Sequence, residues 1–160
     1  MKILKTQWVR AWRSHLSTSL DAAQEGQAAA TAGTRVDGDH RPENRGERAA
    51  VTTQGYLAHG LAQRAQSLAA ALRHLEDMGT GPRDRIVMGA IVALQGEAGV
   101  LCCAFFPGGD GTELTIGEST LRVLSFQAPL GRALNMCQIG DVVEVHIAGH
   151  DETYEVLSVE

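Results

Sequence analysis

Residues 54–75 read Gln-Gly-Tyr-Leu-Ala-His-Gly-Leu-Ala-Gln-Arg-Ala-Gln-Ser-Leu-Ala-Ala-Ala-Leu-Arg-His-Leu. Their apolar side chains recur in steps of three and four, which predicts a helix with one apolar face. The positions are Ala58, Leu61, Ala65, Leu68, Leu72 and Leu75. Because the other faces are polar, this helix requires a partner along its whole length.

A second helical stretch precedes it and can supply that partner. Its apolar positions lie seven residues apart, and Trp12 and Leu20 fill the intervening turns. The positions are Val9, Leu16, Ala23 and Ala30. Each stretch has about 28 residues, or about 40 Å of helix, and we predict that they form an antiparallel hairpin. A three-helix or dimeric bundle is the alternative.

The segment between the two helices, residues 34–48, is strongly charged. Eight of its 15 residues carry a charge, and Val36 is its only aliphatic residue. Such a composition cannot contribute to an apolar core, so the segment must lie in water or against a charged partner. On the hairpin model it forms the tip.

Residues 78–82 separate two halves of different character. The segment Met78-Gly-Thr-Gly-Pro82 contains two glycines and a proline, which end a helix and begin a linker. Residues 1–80 hold 10 basic against 8 acidic side chains, whereas residues 81–160 hold 4 against 11. We predict two domains, a helical hairpin at 1–80 and a β-rich domain at 81–160.

The second half consists of short apolar or alternating runs, which predict strands. These runs are 86–94, 100–106, 113–116, 121–124, 142–147 and 153–159. Pro129-Leu-Gly-Arg-Ala-Leu134 predicts one short helix, with proline in its first turn. The predicted fold class is α+β, with the helical hairpin followed by a curved antiparallel sheet and this helix.

Composition excludes several classes of protein. No stretch approaches the roughly 18 apolar residues of a membrane span, and the first residues predict no secretory signal. Three cysteines, two of them adjacent, cannot form a disulfide framework, so we expect a cytoplasmic protein. A net charge of -5 argues against holding bare nucleic acid by charge alone.

The C-terminal half resembles the C-terminal domain of the Gre transcript cleavage factors. The resemblance rests on Ala128-Pro-Leu-Gly-Arg-Ala-Leu134, on Gly140-Asp141-Val-Val-Glu-Val145 and on Tyr154-Glu-Val-Leu157. The run Val87-Met-Gly-Ala-Ile-Val-Ala-Leu94 is similar to the first strand of that family. The resemblance implies an FKBP-like domain preceded by an antiparallel coiled coil, in a short-form member of the family.

The resemblance also implies a function. In that family the globular domain docks on RNA polymerase, the coiled coil enters the secondary channel, and acidic tip residues help to hold a catalytic Mg²⁺. The polymerase performs the hydrolysis, so such a factor is not itself an enzyme. It needs no cofactor of its own, and it meets nascent RNA and DNA only through the polymerase.

Asp39 and Glu43 are the candidate catalytic and Mg²⁺-supporting pair. The family's tip reads Gly-Asp-x-x-Glu-Asn, whereas here Gly38 to Asn44 has one more residue between the acids. Pro42 also prevents a regular helix through this point. A solvated loop that only fills the channel is the alternative.

Pro129, Leu130 and Arg132 are the candidate partner-binding residues. They lie on the segment that carries the resemblance, and Arg132 is its only basic residue. A structural ion pair is the alternative for Arg132.

Two other functions stay open at this point. One is a regulator of the same channel that competes with Gre factors without stimulating cleavage, as the irregular tip suggests. The other is a regulator of nucleotide metabolism that resembles the Rnk protein, although the length of the hairpin here argues against it. His40 and the three cysteines lack the spacing of a zinc site, and we expect no metal role for Cys102, Cys103 or Cys137.

Overall fold

The computed structural model describes residues 5–34, 44–79 and 81–160. Two long helices precede six strands, and one short helix lies between the fourth and fifth strands. The elements are α1 (Lys5–Thr34), α2 (Arg45–Asp77), β1 (Ile91–Gly96), β2 (Gly99–Phe105), β3 (Asp110–Ile116), β4 (Ser119–Leu124), α3 (Pro129–Leu134), β5 (Val142–Ile147) and β6 (His150–Val159). They form two compact units, the hairpin unit of Arg13–Glu76 and the sheet unit of Met1–Trp12 with Asp77–Glu160.

In the hairpin unit α1 and α2 pack side by side in opposite directions. A Cβ atom placed on Gly26 would lie 3.2 Å from Leu61, and one placed on Gly33 would lie 3.5 Å from Gln54. From Gly26 to Gly33, seven residues forward along α1, the contacted residue of α2 changes from Leu61 to Gln54, seven residues back. None of the six apolar positions predicted for α2 is exposed, and Ala65 is only 8% exposed. The predicted antiparallel hairpin is confirmed.

Helix α2 begins inside the segment that the sequence assigned to the tip. The Asn44 Oδ1 accepts a hydrogen bond from the Glu47 backbone N at 2.9 Å, and the Asn44 Nδ2 donates to the Glu47 Oε1 at 3.1 Å. The first bond satisfies one of the backbone donors that a helix start leaves open, and the second orients the Asn44 side chain. Helical order therefore extends to Arg45, about nine residues before the apolar repeat that predicted the helix.

Gly55 and Gly60 lie in the interior of α2 without a packing reason. A Cβ atom on either residue would have nothing within 4 Å. Glycine costs about 0.5–1 kcal/mol relative to alanine within a helix. We therefore expect Gly60→Ala to stabilise the hairpin unit by about 1 kcal/mol, measured by urea unfolding followed by circular dichroism.

Gly26→Ala is the matched control for that change. Its new Cβ would lie 3.2 Å from Leu61 in the helix seam, so the packing strain offsets the gain in helix propensity. Equal stabilisation by the two substitutions would contradict the assigned seam.

The sheet has six strands in the order β3-β4-β2-β1-β6-β5. Every neighbouring pair is antiparallel except β2 and β4, which run parallel with Cys103 opposite Arg122. The predicted α+β class is confirmed, but the sheet is mixed and not wholly antiparallel as predicted. After β2 the chain passes the end of β4 and forms β3 at the edge, so β4 returns between them parallel to β2. A Cβ on Gly109 would lie 2.4 Å from the backbone carbon of Leu124, so this crossing requires glycine.

One core cluster of the sheet unit lies on one face of the sheet, here called the inner face. On the opposite face Ala104, Leu121 and Val123 are buried as well. Helix α3 covers the inner face with Leu130 and Leu134, and Phe105 stacks on Phe126 with 4.7 Å between ring centroids. The apolar strand residues of this core are Val92, Leu94, Cys103, Phe105, Leu124, Val145, Val156 and Val159. Alternation along β1, β2 and β6 therefore defines both the inner face and the opposite, outer face.

The first turns of α1 belong to the sheet unit through two tryptophans. Trp8 and Trp12 meet the ring of Phe106 edge to face, with centroids 6.3 Å and 5.8 Å away. Trp8 is completely buried. This explains why the compact sheet unit includes the start of a helix that otherwise belongs to the hairpin.

No helix within the described ranges combines the length and apolarity needed to cross a membrane.

Candidate functional site

Two adjoining cavities form a groove on the inner face of the sheet unit. The larger, of about 480 Å³, lies between the β1–β2 turn and the start of β6. The smaller, of about 340 Å³, lies beside the start of α3. Both are lined by Arg122, Leu130 and Ile147, so they form one continuous groove.

Arg122 lies where the two cavities meet, and an acid on β3 fixes its position. Its Nε and Nη2 donate to the Glu113 Oε1 at 3.2 Å and 2.6 Å. This hydrogen bond raises the pKa of Arg122 above its usual value. Because β4 pairs with both β2 and β3, the guanidinium is held at the floor of the groove.

Tyr154 forms one wall of the larger cavity. Its hydroxyl donates to the Glu152 carboxylate, and this hydrogen bond raises the pKa of Tyr154 to about 12. The ring lies against Gly96, where an added Cβ would approach it to 2.8 Å. The phenol is therefore neutral and oriented at physiological pH.

The groove has apolar walls and internally paired polar groups. Leu101, Leu130 and Ile147 supply apolar surface, while Arg122 and Tyr154 are already bonded to carboxylates. A site of this kind fits an apolar side chain of a partner better than a small charged substrate. Within the described ranges, no three His, Cys, Asp or Glu side chains are close enough to hold a metal ion.

Comparison with known families identifies this domain. Residues 81–160 match the family model described as the C-terminal domain of the transcription elongation factors GreA and GreB. The chain belongs to the GreA/GreB family. The match covers the sheet unit from its linker to its last strand, and it confirms the resemblance drawn from the residues.

Solved structures of related factors are similar to this GreA/GreB-family chain. The transcription factor Gfh1 has 19% identity and a TM-score of 0.40 over 94% of both chains. Gfh1 of Thermus thermophilus has 16% identity and a TM-score of 0.38, covering 92% of this chain and 94% of the other. A GreA/GreB factor from Nitrosomonas europaea has 21% identity and a TM-score of 0.37, covering 57% and 78%. No curated protein matches the sequence.

In this GreA/GreB-family chain, the predicted partner-binding residues surround one end of the groove. Pro129 and Leu130 line the smaller cavity, with Pro129 exposed and Leu130 buried. Arg132 is exposed one helical turn beyond Pro129, on the same side of α3. No carboxylate in the described part of the chain forms an ion pair with Arg132. Their role in binding stays a prediction.

Asp39 and Glu43, the predicted catalytic pair, lie outside the described residues. The same holds for His40 and Pro42. The helices on either side end at Thr34 and begin at Arg45, so both acids belong to the connection between α1 and α2. Their assignment to a Mg²⁺ site stays a prediction.

The sequence did not single out Arg122 or Tyr154 as groove residues. The available signal was Arg122 itself, the one charge within the apolar run Leu121–Leu124. Its side chain points to the same face as Cys103, the core residue opposite it on β2, and only the parallel register reveals this.

Cys103 and Cys137 contribute to packing and are not placed as reactive thiols. Cys103 is fully buried, and burial raises the pKa of its thiol to about 12, so it is not a ready nucleophile. Cys137 donates from its Sγ to the Ala133 carbonyl at 3.4 Å, and burial raises its pKa as well. Both behave as small apolar residues.

Proposed function

We propose that this protein is a cytoplasmic RNA polymerase-binding elongation factor that stimulates cleavage of backtracked RNA. The observation that carries the proposal is the GreA/GreB family match over residues 81–160, behind a hairpin of helices with 30 and 33 residues. A family domain for docking and a long hairpin with acids at its connection are the two parts that such a factor needs.

In this proposal the groove is the docking site on the polymerase. An apolar side chain of the polymerase enters beside Leu130 and Ile147, and Arg132 meets an acidic group at the rim. The internal pairing of Arg122 with Glu113 supports this role, because a preformed groove loses little conformational entropy on binding.

The hairpin then carries Asp39 and Glu43 to the polymerase active centre. Carboxylate oxygens are the ligands that Mg²⁺ prefers, and one or two of them suffice because the ion retains several waters. When bound, Mg²⁺ activates water and stabilises the leaving oxygen in phosphodiester hydrolysis. The chain contributes the two carboxylates and a stiff support for them, and it meets RNA and DNA only through the polymerase.

A regulator of the same channel that does not stimulate cleavage is the second candidate. The additional residue between Asp39 and Glu43, together with Pro42, favours it. That regulator would compete with a cleavage factor for the polymerase without shortening RNA. The Rnk-like alternative requires no polymerase binding at all, and the long helices count against it.

The docking proposal predicts that Arg132→Glu weakens binding to RNA polymerase about tenfold, because interface arginines that meet a carboxylate commonly contribute about 1–2 kcal/mol. The measurement is the dissociation constant of labelled full-length protein with core polymerase at fixed salt. Arg132 is exposed, so the variant should keep the wild-type melting temperature.

Arg85→Glu is the matched control, since it makes the same charge change on another exposed arginine of the sheet unit. The Arg85 Nη1 contacts the Met136 carbonyl at 3.4 Å, away from the groove residues. Equal weakening by the two variants would indicate a general charge effect and contradict docking at the groove. No binding by the wild type would revive the Rnk-like function.

A further inference from the structure

The outer face of the sheet carries a second surface, distinct from the groove. Across four neighbouring strands, β2, β1, β6 and β5, one register row places Val100, Gln95, Glu155 and Val142 side by side. All four side chains are exposed. With strands about 4.8 Å apart, this row is about 14 Å long. Glu155 follows Tyr154 directly, so the row and the groove lie on opposite faces.

Large apolar side chains are exposed on this surface. Val100 is 61% exposed and Val142 is 60% exposed, while Leu157, two residues beyond Glu155, is 42% exposed. Val100 and Val142 stand at the two ends of the row, about 14 Å apart, and the carboxylate of Glu155 lies between them. We call Val100, Val142, Glu144, Glu155 and Leu157 the outer patch.

The charge of the outer patch has one sign. Strands β2, β1, β6 and β5 contain no Lys or Arg at all. Glu155 lies within the row, and Glu144 is exposed two residues along β5 from Val142. Among the strand residues of this face that the structure describes, the cationic candidate is His146, and its Nδ1 is 2.7 Å from the Asp151 carboxylate. Neither Glu144 nor Glu155 forms an ion pair within the part of the chain that the structure describes, so carboxylates alternate here with apolar side chains.

The combination of carboxylates and apolar side chains on the outer patch favours one class of binding partner over others. Nucleic acid and an anionic lipid surface would be repelled by Glu144 and Glu155. A symmetric second copy would gather four of these carboxylates in one interface, with no Lys or Arg from these strands to balance them, and such like charges are destabilising. A protein segment with Lys or Arg between apolar side chains satisfies both features of the surface.

We infer that the outer patch docks a basic, apolar segment of a protein partner. Its Lys or Arg side chains pair with Glu144 and Glu155, and its apolar side chains cover Val100, Val142 and Leu157. Because the groove lies on the inner face, one molecule can hold this segment and the groove's partner simultaneously. The inference does not depend on the docking proposed for the groove.

The test uses a synthetic peptide in which pairs of leucines alternate with pairs of lysines. A matched peptide has glutamate in place of every lysine. Binding to the full-length protein is measured by fluorescence anisotropy at low salt. The lysine peptide should bind the wild type about tenfold more tightly than the glutamate peptide, as expected for two favourable exposed charge pairs replaced by repulsion. The charge reversal Glu144→Lys with Glu155→Lys should invert this preference.

Two control proteins separate the outer patch from net charge. Asp84→Lys with Glu118→Lys makes the same charge change at exposed acids elsewhere on the sheet unit, and it should keep the wild-type preference. Val142→Ser should weaken lysine-peptide binding without a charge change. The inference is overturned if the Asp84 and Glu118 variant inverts the preference equally, or if the Glu144 and Glu155 variant keeps it. Arg132→Glu should leave peptide binding unchanged, which separates this result from the groove.

Discussion

Replacing Gly131 with alanine is expected to destabilise the sheet unit by about 3 kcal/mol or more, the upper end of the cost of overpacking. A Cβ atom on Gly131 would lie 2.2 Å from the Ser125 carbonyl oxygen and 3.0 Å from the Phe126 Cα. Both are backbone atoms, so no side-chain rotation can relieve the clash. Because α3 would have to move, Leu130 and Leu134 would leave the core together.

Urea unfolding followed by tryptophan fluorescence measures this effect, since Trp8 and Trp12 both contact Phe106 in the sheet unit. Gly81→Ala is the control, because a Cβ there has nothing within 4 Å and it should be nearly neutral. A Gly131→Ala protein as stable as the wild type would mean that α3 does not pack against the loop at Ser125.

The local elements of the sheet unit were predictable because their signals are local. Strand β5 and helix α3 occupy the ranges that the apolar run and the proline at the first turn predicted. Strand β1 is shorter than the apolar run 86–94 that predicted it. Gly89 adopts a φ of +83°, so the extended conformation begins only at Ile91. Apolarity over residues 86–90 reflects burial of a turn, not a strand.

Long-range features were not predictable from these signals. The parallel pairing of β2 with β4 depends on the close approach of Gly109 to Leu124, which the turn composition does not reveal. The burial of Lys5 was not predictable either. Lys5 is only 8% exposed, and its Nζ donates to the Gly81 carbonyl at 3.1 Å, a contact between residues far apart in sequence. Burial lowers the pKa of this lysine, and Arg83 lowers it further.

The groove was predictable only in part. Pro129 and Leu130 were found through a motif that lies on one short helix, whereas Arg122 and Tyr154 come from strands far apart in sequence. For the tip, the sequence assigns Asp39 and Glu43 to one connection but does not give the distance between their carboxylates. Metal binding depends on that distance, so composition alone cannot choose between cleavage and simple occupation of the channel.

The double substitution Asp39→Ala with Glu43→Ala is expected to lower stimulated RNA cleavage by on the order of 10- to 100-fold, the usual cost of removing groups that support a catalytic metal. Polymerase binding should be unchanged, because the groove lies in the sheet unit and the acids lie between the helices. Asp21→Ala with Glu25→Ala removes two exposed acids of α1 and is the matched control. A loss of the same size in the control would assign the effect to net charge.

The most direct test of this function is the length of nascent RNA in stalled elongation complexes after addition of the protein and Mg²⁺. We expect the wild type to shorten the RNA from its 3′ end, and the Asp39 and Glu43 variant to bind equally well but to leave the RNA intact. Intact RNA with the bound wild-type protein, or equal shortening by both proteins, would contradict this function.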